Sequence, residues 1–400
     1  MHYRYLIVGG GMTSDAAVRG IREVDPTSGI GIVGAEDEPP YKRPPLSKGL
    51  WKGDPPASIW YGTESRGAKL HLGQTVTQLD LPNKRLFAGK GDVLTFDKLL
   101  LATGGTPRRF SFHDGHVVHY RTVADYRRLR SLAERGRRFA VIGGGFIGSE
   151  IAAALAMNGK EVVMVFPGEA VCAHQFPRDL ATFLNGYYRQ KGVELLAGTS
   201  VIGMEAAGER FALKIRNLAS PAGREIQVDG VVAGIGIEPN VELARAAGLA
   251  VDNGILVDEC LRTGHPDVFA AGDVASFYNP ALGKRLRVEH EDNAKTMGWA
   301  AGRAMAGQPE PYRHLPFFYS DLFELGYEAV GELDPRLEIL TDWKEPNGKG
   351  VIYYLREGRV RGVLLWNVWK QVEAARKLIS ERGPFRPEDL KGRLPTSGAG

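Results

Sequence analysis

Four hundred residues at roughly 100–200 per domain imply two to four domains, and a chain with 43% hydrophobic and 24% charged residues is globular rather than fibrous, collagen-like or wholly disordered. The net charge of +4, from 51 basic against 47 acidic residues, is a small surplus spread along the chain, which excludes a dedicated nucleic-acid surface. The two cysteines, Cys172 and Cys260, cannot form a disulfide framework or a zinc quartet, and no stretch reaches the ~18 apolar residues of a membrane span, so a cytoplasmic protein is expected.

Tyr5-Leu6-Ile7-Val8 predicts a strand buried on both faces, stopped by Gly9-Gly10-Gly11. Ala16, Ala17, Val18 and Ile21 continue as a helix, and Gly29 to Gly34 reads as the next strand, a βαβ opening. Lys98 to Leu101 is another buried strand ending in the small residues Ala102-Thr103-Gly104-Gly105. The opening then recurs: Phe139 to Ile142, Gly143-Gly144-Gly145, a helix from Phe146 to about Asn158, and a strand from Glu161 to Phe166. The spacing is too long for a solenoid and predicts two nucleotide-binding domains of similar build. Val268-Phe269-Ala270-Ala271, stopped by Gly272-Asp273, reads as a return to the first domain. From about Tyr312, aromatic clusters alternate with turn residues such as Pro346-Asn347-Gly348, which predicts an antiparallel sheet. A final helix from Val372 to about Glu381 precedes a tail expected to be disordered. The predicted fold class is α/β: two Rossmann-like dinucleotide-binding domains plus a C-terminal α+β domain. The boundaries are 1–112 and 235–311 for the first domain, 113–234 for the second, 312–394 for the third and 395–400 for the tail.

Two segments carry the chemistry. Gly9-Gly10-Gly11-Met12-Thr13-Ser14 matches G-x-G-x-x-G with Ser14 in the third glycine's place, follows a strand, opens a helix, and is followed by Glu36 at the end of the next strand, where an acid can bind a ribose hydroxyl. A helix N-terminus so placed offers free N–H groups and partial positive charge to a pyrophosphate. The second match, Gly143-Gly144-Gly145-Phe146-Ile147-Gly148, is complete. Glu169 lies beyond its second strand with no Arg beside it, which favours NADH over NADPH; Glu169 as a solvated loop acid is the competing reading. Two such folds in one chain imply two cofactors, and a flavin with a nicotinamide fits.

With these motifs the chain resembles the FAD-dependent, NADH-using ferredoxin reductase family of the pyridine nucleotide-disulphide oxidoreductase superfamily, with motifs closest to its apoptosis-inducing factor branch. The resemblance rests on Pro40 to Lys48 (P-Y-K-R-P-P-L-S-K), Ala102 to Arg108, Gly143 to Glu150, Gly236 to Asn240, Ala271-Gly272-Asp273 and Arg287 to His290, in order over residues 5–370. It implies FAD and NADH as cofactors and hydride transfer from NADH to flavin N5. Electrons then pass to an external acceptor, an iron–sulfur ferredoxin; a quinone reductase and a slowly NADH-oxidising redox sensor or assembly protein are the alternatives. For FAD it implies Gly9, Gly11, Ser14, Glu36, Arg43, Lys48, Thr103, Gly104, Arg108, Gly272, Asp273, Glu289 and His290. For NADH it implies Gly143, Gly145, Phe146, Ile147, Gly148, Glu150, Glu169 and Gly236. Lys48 paired with Glu150, together with His290 and Tyr319, falls on the reacting centre; Arg43 as a turn residue and His290 as a core histidine are the plainer readings. A monomer or homodimer is expected.

Departures from the pattern matter as much. Pro39 to Trp51 contains no cysteine, so the thiol relay of disulfide reductases is absent there and electrons leave the flavin directly. Phe317-Phe318-Tyr319-Ser320-Asp321 lacks the family's usual Trp. His113, Asp114, His116 and His119 could be read as metal ligands, but a loop entering a strand does not align i,i+3 side chains, and no metal is expected. The pair Trp366 and Trp369 reads as sheet and helix core.

Overall fold

A computed structural model of the chain describes residues 1–89, 91–112, 115–220 and 222–396; His113, Asp114 and the end of the expected tail, 397–400, lie outside them. The contacts divide the chain into two units, one comprising Met1–Lys42, Ala57–Thr106 and Glu238–Phe318, the other Arg43–Pro56, Pro107–Ile237 and Tyr319–Gly400.

The first unit is built on a mixed sheet. Four strands, Ala68–His71, Ile30–Val33, His2–Val8 and Asp92–Leu101, run parallel in that order. The long strand Asp92–Leu101 divides its other edge: Asp92 to Thr95 pairs with the antiparallel strand Arg85–Ala88, and Leu99 to Leu101 pairs in parallel with Val268–Ala270. That last strand is the return read from the sequence. Val268, Ala270 and the paired Leu99, Leu100 and Leu101 are all at zero exposure, because a parallel sheet covered on both faces has no polar side. The helices Met12–Val24 and Glu291–Met305 cross so closely that a Cβ on Gly302 would stand 2.2 Å from the Ala17 carbonyl. Glycines at this crossing let the two backbones meet.

The second unit repeats the plan with Val193–Leu196, Glu161–Val165, Arg138–Ile142, Gly230–Ala233 and Val118–His119, all parallel and in that order. A three-stranded antiparallel sheet from Thr199–Ala207, Arg210–Asn217 and Gly223–Val228 follows. The aromatic-rich C-terminal segment forms a five-stranded sheet with Phe317–Leu322 at one edge and Glu338–Glu345 at the other, and its helix spans Val372–Ser380. Trp366 is fully buried, whereas Trp369 is 44% exposed with its ring against Gly326. This corrects the reading of both as core: Trp369 stands in the turn after the strand Arg359–Trp366, between the left-handed residues Asn367 and Lys370.

Candidate functional site

In the first unit every strand of the parallel set ends near one glycine turn. Gly9 has φ +119°, and a Cβ there would lie 2.1 Å from the Ala102 carbonyl oxygen, so the position accepts glycine alone. The helix Met12–Val24 starts on Gly11 with no side-chain cap, and a Cβ at Gly11 would meet nothing within 4 Å. No side chain therefore caps the start of this helix, as an anion cradle requires. Ser14 donates its hydroxyl to the Gly9 carbonyl. Asp15, an acid in that first turn, is 2% exposed and is neutralised by Arg19 at 2.8 Å and Arg66 at 3.4 Å, with Thr63 donating at 2.6 Å.

The other residues predicted for this cofactor frame the turn. Glu36 accepts a hydrogen bond from Tyr41 at 2.6 Å. Thr103 and Asn240 exchange hydrogen bonds, both 2.8 Å, around the left-handed Gly104. Gly272, φ +78°, packs so tightly that a Cβ would stand 2.3 Å from Thr13 Oγ1, which brings Asp273 to the first turn of the helix. A glycine cradle, an uncapped helix and an acid at the second strand's end fit a dinucleotide such as FAD. Glu289 forms an ion pair with Arg287 at 2.7 Å. His290 begins the helix Glu291–Met305, its ring stacked on Phe318 at 4.2 Å.

The second unit holds the second turn. Gly143 has φ +117° and a Cβ there would be 2.3 Å from the Gly234 carbonyl oxygen; one on Gly148 would be 2.0 Å from the Gly143 carbonyl oxygen. The helix Phe146–Met157 starts on Gly145, again without a side-chain cap. Phe146 is half-buried, Ile147 is exposed, and Glu169 is exposed beyond the strand Glu161–Val165. The backbone N–H of Arg108 donates to Gly236 at 3.0 Å. These features fit a nicotinamide dinucleotide. The turn is braced by Cys172, whose N–H donates to the Gly144 carbonyl at 2.7 Å, while burial pushes its thiol up to about 12. That thiol is a buried hydrophobe, inert at neutral pH.

Lys48 and Glu150, far apart in sequence, meet within this unit. Lys48 Nζ is 2.6 Å from Glu150 Oε1, with side-chain exposures of 12% and 4%. The ammonium also stands 5.4 Å from the centre of the Tyr319 ring, and Tyr319 is 36% exposed. Arg43 donates to the Arg121 carbonyl at 2.8 Å. Trp51 Nε1 and the Tyr120 hydroxyl both donate to the Leu46 carbonyl, pinning the loop that carries Lys48.

Sequence reasoning missed Ser47 and Ser320, both of which donate to the Glu150 carboxylate. Each stands next to a residue the motifs single out, and that adjacency was the available signal. Among the described residues no group of three or more His, Cys, Asp or Glu could hold a metal, and no helix is long and apolar enough to cross a membrane. His116 and His119 lie against Phe211 and Phe110.

Residues 3–298 match the pyridine nucleotide-disulphide oxidoreductase family, and residues 341–381 match the C-terminal domain of mitochondrion-associated apoptosis-inducing factor. The chain belongs to the pyridine nucleotide-disulphide oxidoreductase family. It is an oxidoreductase working with FAD and NAD(H). Among relatives, apoptosis-inducing factor 1, mitochondrial, of Dictyostelium discoideum is 33% identical over 97% of this chain and 80% of its own length. The ferredoxin–NAD(+) reductase component of the anthranilate 1,2-dioxygenase system of Burkholderia cepacia is 33% identical over 96% of both. The solved covalent putidaredoxin reductase–putidaredoxin complex matches with a TM-score of 0.90 at 28% identity, covering 98% of this chain and 97% of that one.

Proposed function

We propose that the protein takes reducing equivalents from NADH and delivers them through FAD to an iron–sulfur ferredoxin. The observation that carries this reading is the buried Lys48–Glu150 pair, in a chain with two glycine turns and no cysteine between Pro39 and Trp51. FAD, when bound, accepts a hydride at N5 and gives electrons up singly, a chemistry the protein orients rather than performs. Gly9, Gly11 and Ser14 cradle the FAD pyrophosphate at the helix start, and Glu36 holds a ribose hydroxyl. Thr103, Gly104, Arg108, Gly272 and Asp273 line the same cofactor, Arg43 contacts its phosphate or adenine side, and Glu289 and His290 border its ring end. Gly143, Gly145, Phe146, Ile147 and Gly148 take the NADH pyrophosphate, with Gly236 beside it, and Glu169 disfavours a 2′-phosphate. Lys48, oriented by Glu150, supplies a fixed positive charge where negative charge develops. Tyr319 offers its ring face to a planar group.

The reading includes the domain boundaries 1–112 with 235–311, 113–234 and 312–394, a cytoplasmic setting and a monomer or homodimer. The test is anaerobic mixing of the yellow holoprotein with NADH or NADPH, then with oxidised ferredoxin, a quinone or air. Fast bleaching by NADH and prompt reoxidation by ferredoxin support it. Prompt reoxidation by the quinone alone replaces the acceptor. One observation favours a second reading, a redox-sensing or assembly protein: the C-terminal match to apoptosis-inducing factor over residues 341–381. Slow reduction ending in an air-stable long-wavelength band would select it.

A further inference from the structure

Three segments of the chain meet at Glu150. It projects from the helix Phe146–Met157, and its Oε1 takes both the Lys48 ammonium and the Ser320 hydroxyl, each at 2.6 Å. Oε2 takes the hydroxyl of Ser47, the last residue of the short 3₁₀ turn Pro44–Ser47. Ser320 comes from the strand Phe317–Leu322. All of this is out of water: Ser47 is 6%, Ser320 1% and Glu150 4% exposed. Close enough to feel its charge stand Cys172 and the fully buried Tyr188 and Tyr327.

A buried carboxylate needs donors on both oxygens, because a charged group taken out of water without them loses its solvation and gains nothing in return. Lys48 alone satisfies one oxygen and leaves the carboxylate free to turn about its last bond. It also leaves the four-carbon lysine stem, rich in rotamers, to swing with it. One serine on each oxygen fixes the carboxylate plane, and Ser320 shares the very oxygen that anchors the ammonium.

We propose that Ser47 and Ser320 are positioning residues that, by locking both oxygens of Glu150, fix the place of the Lys48 charge and so set the reduction potential of the bound FAD. This rests on the reading of Lys48 as the cation serving the flavin. Neither serine is required to touch the cofactor. A merely structural role would lower the melting temperature and leave the potential where it was.

The test is an anaerobic redox titration of FAD-loaded wild type, Ser320→Ala, Ser320→Thr, Ser47→Ala and Lys48→Met, with thermal melts alongside. Ser320→Ala is expected to leave about tenfold less reduced flavin at a given potential, a shift of roughly 30 mV to the negative for a two-electron couple. Ser47→Ala shifts the same way, Lys48→Met shifts further, and Ser320→Thr, which keeps the hydroxyl, returns towards wild type. Wild-type potentials in both alanine variants beside a shifted Lys48→Met overturn the proposal and leave the Lys48 reading standing. An unshifted Lys48→Met removes that reading and the proposal with it. If the Ser320 variants do not fold, Ser47→Ala decides: a negative shift supports the proposal and the wild-type potential overturns it.

Discussion

The two glycine turns have the same strand, the same uncapped helix start and the same left-handed first glycine, yet differ at the third position. In the first, the Ser14 hydroxyl reaches the carbonyl of Gly9 and bonds to it. In the second, Gly148 lies so close to the corresponding carbonyl, that of Gly143, that a Cβ would stand 2.0 Å away. One helix stands off its strand by the width of a small polar side chain; the other touches it with bare backbone. The first helix makes its close approach elsewhere, to the helix Glu291–Met305, where a Cβ on Gly20 would stand 2.1 Å from the Trp299 carbonyl oxygen and one on Gly302 2.2 Å from that of Ala17. The same motif thus tolerates serine in one copy and demands glycine in the other.

The largest effect is expected from Gly148→Ser, which gives the second turn the residue of the first. The added atoms have no room, and the helix Phe146–Met157 must move at a cost of about 3 kcal/mol. The expected result is a lower melting temperature and NAD+ affinity at least about tenfold weaker in calorimetry, with FAD content unchanged; an unaffected affinity would show the second turn to be as roomy as the first. Next comes Lys48→Met, which leaves Glu150 buried beside two hydroxyls and without its cation. About 3 kcal/mol of stability is expected to go, together with most of the rate of flavin bleaching by NADH, read by denaturant melts and stopped-flow.

The units also differ in how they anchor the strand returning beside the first. Asp229, ahead of Gly230–Ala233, accepts the N–H groups of Arg137 and Arg138 at 2.7 and 2.8 Å. Asp229 also pairs with Arg210 at 2.9 Å, whereas Asp267, ahead of Val268–Ala270, holds two cations, the ammoniums of Lys84 and Lys98, which bring its carboxyl down to about 2. A depressed carboxyl stabilises the fold above its unfolded value near 4 and loses that contribution as pH falls from about 4 through about 2. Asp267→Asn is therefore expected to cost about 2 kcal/mol at pH 7, less with added salt, and the gap to wild type should close at pH 2. A gap that persists there would show the loss to be one of packing. The smallest effect belongs to Ser14→Gly, which gives the first turn the residue of the second. It forfeits one hydrogen bond, about 1 kcal/mol, and should leave FAD content intact.

The strands and turns were legible because short runs such as Leu6-Ile7-Val8 and Val141-Ile142 are apolar throughout and stop at glycine, a pattern that both-faced burial imposes. The Lys48–Glu150 contact was not legible from spacing. It joins a loop to a helix about a hundred residues on, and only the resemblance of both motifs to one family pointed to it. Ser47 and Ser320 stayed hidden because a serine hydroxyl carries no signature until its acceptor is in place. Arg287 and Glu289 were both legible as motif residues, but not as partners of each other, and nothing in the sequence told the buried Trp366 from the exposed Trp369, since both follow the same aromatic run.

The proposed function divides the labour between the turns, FAD on the first and the nicotinamide on the second. Amide hydrogen exchange tests it most directly, following Gly11 to Ser14 and Gly145 to Gly148 in the FAD-free protein, the FAD-loaded protein and the loaded protein titrated with NAD+. FAD should protect the first segment alone, and NAD+ should then protect the second without further change in the first. Protection of Gly145 to Gly148 by FAD, or of Gly11 to Ser14 by NAD+, would contradict that division.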